Sequence, residues 1–199
     1  MDYYAATRQR IDYGLRELGI DINILEDGAK HGEEEYIDIV HRRNFIKKYS
    51  WAMPTEEAIN AIAAYSPIIE VGAVLGFWAK LLEDVGADVV AFDNSETDSN
   101  EEPYTTILDG GPEDILDNPG RTLFLCWPPF WNDMALDCLS YYKGQYLAYV
   151  GEGAGGCTGG DAFHKRLKAG WEGVELIYLP NWAGIHDYLE IYERKRRVR

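Results

Sequence analysis

The chain has 199 residues, 46% hydrophobic and 27% charged, a balance that suits one domain with a sizeable core and excludes a disordered chain. Its formal net charge of -15 argues against nucleic acid as the main partner, because a phosphate backbone is bound by clustered Lys and Arg. No secretory signal and no apolar run of roughly 20 residues is visible, so a soluble, reducing, cytoplasmic setting away from the membrane is expected.

Around Tyr3 to Leu18 a weak helical period places Ile11, Leu15 and Leu18 on one face. Asp27 to Gly32 is a turn-rich break. Glu33-Glu34-Glu35 then opens a second helix, acids at its positive end, with Tyr36, Ile37, Val40 and Ile46 available for burial. Pro54-Thr55-Glu56-Glu57 starts a third, carrying Ile59, Ile62 and Ala63. Residues 1–53 therefore read as an N-terminal helical extension and 54–199 as the main domain.

From Pro67 the texture changes to short apolar runs alternating with helical stretches. Strands are expected at Ile68–Val71, Asp88–Phe92, Tyr104–Leu108, Leu123–Cys126 and Tyr146–Val150. Helices are expected over Phe77–Val85, Asp133–Tyr141 and Asp161–Leu167. Such alternation means a parallel sheet covered on both faces. The last two strands, Val174–Leu179 and Tyr188–Tyr192, have no helix between them. Too few residues join them for a crossover, so they pair antiparallel or lie apart.

The strongest constellation is Glu70-Val71-Gly72-Ala73-Val74-Leu75-Gly76, with Asp93 ending the next strand. A glycine straight after a buried strand lets the backbone turn tightly and approach a ligand. The following helix presents unpaired N–H groups there. Asp93 sits beside that turn, where a carboxylate can accept hydrogen bonds from both hydroxyls of a ribose.

These features resemble the class I S-adenosylmethionine-dependent methyltransferases, over roughly Tyr49 to Lys195. The resemblance implies an α/β, Rossmann-like, doubly wound and mostly parallel sheet of about seven strands with an antiparallel last strand, preceded by N-terminal helices. It implies S-adenosylmethionine as cofactor: Gly72 and Ala73 along its amino-acid part, Glu70 ordering the turn, Gly76 at the helix entry, Asp93 on the ribose and Asn94 beside the adenine. The family pattern has a third glycine where this chain carries Val74. Tyr49 to Pro54 reads as an interhelical packing patch or as an aromatic lid over that cofactor.

A second glycine run, Gly151-Glu152-Gly153-Ala154-Gly155-Gly156, fits the dinucleotide spacing. Its next strand ends at Leu179-Pro180 with no acid for a ribose, which leaves a nicotinamide oxidoreductase as the third reading. No Lys-Ser or Lys-Thr follows, which excludes a phosphate loop.

Ligands of an open parallel sheet lie outside the carboxyl ends of its strands. That rim would hold Trp127-Pro128-Pro129-Phe130-Trp131, Glu152, Gly156-Cys157-Thr158 and the hairpin Asn181 to His186. The Pro-Pro-Phe element resembles the Asn/Asp-Pro-Pro-Tyr/Phe motif of methyltransferases that act on amino groups, with Trp127 in the polar slot. Trp127 would stack on a flat or cationic acceptor and Pro128 would orient it, or both simply close a strand end. Glu152 is the candidate base or orienting group, or else a cap on the glycine turn; His186 is the other proton acceptor, or else a structural histidine. His31, His41 and His164, like Cys126, Cys138 and Cys157, lack metal-ligand spacing, so no metal is expected. The expected substrate is a small molecule or a protein side chain, with a homo-oligomer left open. Val74 and Trp127 motivate the alternative, a non-catalytic interaction protein that keeps the fold.

Overall fold

The computed structural model describes residues 42–94, 102–182 and 184–196. The helix expected near the N-terminus and the start of the second lie outside these residues, as do His31 and His41. Residues 42–48 are helical, within the second expected helix.

The Thr55 hydroxyl accepts the Ala58 N–H at 3.1 Å and so caps α1 (Glu56–Ala63), whose first turn carries Glu56 and Glu57. Then follow β1 (Ile68–Val71), α2 (Phe77–Asp84), β2 (Val89–Asp93), β3 (Ile107–Asp109) and a 3₁₀ turn over Pro112–Asp117. The second half comprises β4 (Thr122–Cys126), α3 (Met134–Tyr141), β5 (Tyr146–Gly151), α4 (Gly160–Gly170), β6 (Trp171–Tyr178) and β7 (Tyr188–Arg194). The 3₁₀ turn was not expected. Pro112 supplies its pre-set first residue, and the Asp114 carboxylate accepts the Gly111 N–H at 2.8 Å.

The sheet has seven strands in the order β3-β2-β1-β4-β5-β7-β6. The first five run parallel, and β7 is antiparallel to both β5 and β6. Every residue of β1 is buried, because helices cover both faces of a parallel sheet. On one face, Ile62, Trp78 and Leu82 of α1 and α2 pack against Ile68, Phe124, Ala148 and Val150. On the other, Cys138, Leu139, Phe163 and Leu167 of α3 and α4 meet Ile69, Leu123, Leu125 and Tyr149. The strands therefore divide their side chains between two cores by simple alternation.

The connection from Tyr178 to Tyr188 contains no helix, so β6 cannot cross over and lies antiparallel to β7. β6 starts at Trp171, ahead of the apolar run that announced it, because Trp171 packs in the α4 core and stacks on Tyr142 at 5.8 Å. Its register slips between Gly173 and Glu175. Ahead of α1, Phe45 and Met53 are buried with Trp182 and Ile185 of the final hairpin. The strand order reverses between β1 and β4, and the ends of these two strands flank the cleft described next.

Candidate functional site

The turn after β1 is held against β2 by backbone bonds: the Gly72 and Ala73 N–H groups both donate to the Phe92 carbonyl, at 2.9 and 3.1 Å. Gly72 has φ +84, and a Cβ there would lie 2.8 Å from the Met134 side chain, so both backbone and space call for glycine. Val74, at the family's third glycine, adopts φ +52, the left-handed conformation that glycine takes without strain. Its N–H donates to Asp93 Oδ2 at 2.8 Å. Asp93 thus ties the end of β2 to the turn after β1. Val74→Gly is expected to raise stability by about 1 kcal/mol, read by thermal melting, since a β-branched residue is strained there. An unchanged melting temperature would mean that the turn bears no strain.

Gly76, at φ +72, stands at the entry to α2 with no side-chain cap. Glu70, fully buried at the end of β1, accepts a hydrogen bond from the Ala79 backbone in the first turn of that helix. Burial, then the neighbouring Asp93 charge, push the Glu70 carboxyl up to about 8. Its Oε2 is buried without a hydrogen-bond partner.

Glu70, Gly72, Ala73 and Val74 line a cleft enclosing about 340 Å³, its open mouth included. The other walls are Ile46, Tyr49, Ser50 and Trp51, Phe77 and Trp78 of α2, and Cys126 at the end of β4. Burial, then the Glu70 and Asp187 charges, push the Cys126 thiol well up, so it lines the cleft as a neutral group. Asn94 stands further along the same rim: its amide nitrogen is 3.3 Å from where a Gly111 Cβ would be. Tyr49 to Trp51 thus both pack and face the cleft. Tyr49 lies against Phe77 at 5.1 Å, and the Tyr104 hydroxyl donates to the Lys48 carbonyl at 2.9 Å.

A second cluster occupies the rim above β4 and β5. Trp127, at φ +51, turns its indole N–H onto Asp187 Oδ1 at 2.7 Å and stacks on Trp51 at 5.1 Å with 14° between planes. The Pro128 carbonyl accepts the Gly159 N–H at 2.9 Å, and Pro129 bridges to Thr158. The Pro-Pro element is therefore pinned to the loop after β5. Glu152 accepts the Cys157 N–H on Oε2 at 2.8 Å and the His186 N–H on Oε1 at 3.0 Å. Although burial opposes ionisation, these bonds hold its carboxyl below the ordinary value. Glu152 thus has the geometry of a cap joining two loops. The His186 ring, 80% exposed, lies 3.4 Å from the same Oε1.

The glycine run of that loop is closed on itself. Tyr149 and Thr158 hydroxyls share a hydrogen bond at 2.6 Å, and the Glu152 N–H donates to Thr158 Oγ1 at 2.9 Å. The cofactor candidates Glu70, Gly72 and Ala73 meet at one cleft, whereas Glu152 and His186 form a separate pair on the rim. Arg42 and Asp187 escaped the sequence reading. Asp187 directly follows His186 and precedes a strand, a position shared with Asp93 only in reverse, so little marked it. Among the described residues, no group of three or more His, Cys, Asp and Glu side chains could hold a metal, and no helix is long and apolar enough to cross a membrane.

No family model matches the chain, and no curated protein matches it in sequence. Solved structures do match. The magnesium protoporphyrin IX methyltransferase of Synechocystis PCC 6803, solved with S-adenosylmethionine, aligns over 98% of each chain at 13% identity and a TM-score of 0.50. The 1,6-didemethyltoxoflavin-N1-methyltransferase of Burkholderia thailandensis, solved with S-adenosylhomocysteine, aligns over 85% of this chain and 93% of that one at 14% identity and a TM-score of 0.44. A protein of the NADB-Rossmann superfamily from Streptococcus agalactiae aligns over 74% and 72% at 12% identity and a TM-score of 0.48. With the strand order and the antiparallel β7, the first of these matches shows that the chain has the Rossmann-like fold of class I S-adenosylmethionine-dependent methyltransferases.

Proposed function

We propose that this protein is an S-adenosylmethionine-dependent methyltransferase acting on a small molecule or a protein side chain. One observation carries the reading: the acid-glycine turn after β1 and the acid ending β2 meet through the Val74–Asp93 bond at a cleft beside the strand-order reversal. The residues present fit the cofactor. Glu70 Oε2 is a buried oxygen without a partner on the cleft wall, and a cationic amino group beside it would favour the ionised carboxylate and donate to it. Gly72 and Ala73 line the cleft with little side-chain bulk, and Asp93 and Asn94 would be the residues that hold the ribose hydroxyls and adjoin the adenine.

When bound, S-adenosylmethionine supplies an electrophilic methyl group on its sulfonium. The chain's own work is positioning and exclusion of water. Tyr49, Trp51 and Phe77 wall the cleft with aromatic surface. His186 is the exposed rim group able to take a proton from an acceptor, with Glu152 orienting it. Glu152 itself, with both oxygens on backbone N–H groups, acts as that orienting group. The test is calorimetric titration with S-adenosylhomocysteine. Micromolar binding is expected, and no heat at millimolar ligand would sink the proposal.

The strained Val74 and the indole of Trp127 in a polar slot favour a second reading, a non-catalytic binding protein on the same fold. It predicts cofactor affinity without methyl transfer to any acceptor. The self-bonded loop around Thr158 leaves a nicotinamide cofactor little open backbone, which disfavours the third.

A further inference from the structure

We infer that Arg42, Trp51 and Trp127 form the acceptor subsite of this cleft, and that it takes a flat ring bearing a carboxylate. The inference deepens the methyltransferase reading and rests on it. The Arg42 guanidinium carbon lies 5.5 Å from the Trp127 ring centroid and 5.9 Å from that of Trp51. The two indoles stack nearly parallel, and Trp51 also lines the cleft with Gly72, Val74 and Cys126. A ring lying on this indole surface would therefore adjoin the cofactor cleft.

Arg42 Nε is buried without a hydrogen-bond partner. Such an orphaned donor on a cation is costly, and a guanidinium fork is best satisfied by the two oxygens of a carboxylate. Among the described residues, no acid forms an ion pair with Arg42. Asp187 Oδ1 accepts from Trp127 Nε1, while Asn181 clasps its backbone, accepting its N–H at 2.8 Å and donating to its carbonyl at 3.2 Å. Arg42 reaches Asp187 only through its field, which favours the ionised carboxylate without an ion pair among the described residues. Glu152 holds the Cys157 and His186 N–H groups. On a chain of net charge -15, a cation without an ion pair among the described residues is the feature that would draw an anionic acceptor to this rim.

Trp51 is 37% exposed, which leaves indole surface for a ring to cover. Trp127 cannot swing aside cheaply, since its N–H would leave a buried carboxylate. The subsite is thus built: a fixed wall, a stacking face and a cation whose Nε lacks a partner.

The test compares naphthoate with its uncharged amide, naphthamide, by titrating the full chain saturated with S-adenosylhomocysteine. Naphthoate is expected to bind about tenfold or more tighter than naphthamide, the factor for a hydrogen bond to a charged group. Arg42→Met should erase that preference, and Arg42→Lys, which keeps charge but loses the fork, should retain part of it. Trp51→Ala should weaken both ligands. Equal binding of the two ligands, a preference surviving in a folded Arg42→Met, or no naphthoate binding at millimolar concentration would each overturn the subsite. S-adenosylhomocysteine affinity, measured separately on each variant, reports on the cofactor reading and should be unchanged by Arg42→Met.

Discussion

Glu70→Gln is expected to leave stability nearly unchanged at about pH 5 and to raise it relative to wild type by about 3 kcal/mol at about pH 8. The Glu70 carboxyl is fully buried, and desolvation, reinforced by Asp93, lifts it from 4.5 to about 8. Below 4.5 the folded and unfolded chains both hold the proton. Between 4.5 and about 8 the unfolded chain has released it while the folded chain keeps it, so each rise in pH favours unfolding. The stability present at low pH is lost progressively until the folded carboxyl also ionises. Glutamine is neutral throughout and nearly the same shape, so its stability curve lacks this slope. Asp187, which burial lifts from 3.8 to about 7 against the pull of Trp127 and Arg42, slopes the same way, but both proteins share it. Urea denaturation at the two pH values gives the difference directly. Parallel pH profiles for the two proteins would show that Glu70 ionises freely in the fold.

Asp93→Ala is expected to weaken S-adenosylhomocysteine binding by about 1.5–3 kcal/mol, roughly 10- to 150-fold, the range for hydrogen bonds to a charged group. Two effects act together. A ribose would lose its acceptor, and the Val74 N–H would lose its partner at 2.8 Å, which loosens the turn that presents Gly72 and Ala73. Asp93→Asn separates them, because an amide oxygen can still accept from Val74 while the charge is gone. An intermediate affinity in Asp93→Asn is the expected result. Unchanged affinity in a folded Asp93→Ala protein would remove Asp93 from the site.

Much of the architecture was legible because local rules and tertiary packing agree. The uninterrupted apolar run Ile68-Ile69 and its like, alternating with helices, announced a parallel sheet buried on both faces, and the absent helix before Tyr188 announced the antiparallel finish. Missed details were those where packing outweighs composition. Trp171 joins β6 because it has a partner in Tyr142, although Glu172 and Gly173 beside it carry no strand signal. Val74 takes a glycine's conformation because the turn, held by Phe92 and Asp93, imposes it.

Sequence alone determined the layered α/β fold, the glycine turn and the carboxylate of β2, since each follows from spacing along one segment. Only the tertiary structure decided what the rim residues do. Whether Glu152 is a base or a cap depends on N–H groups from Cys157 and His186, the latter 34 residues away. Whether Trp127 offers a face or an N–H depends on Asp187, 60 residues on, and the role of Arg42 depends on two indoles from separate segments. Hydrogen bonds and ring contacts between remote segments are set by how the chain packs, and one-dimensional spacing carries no record of them.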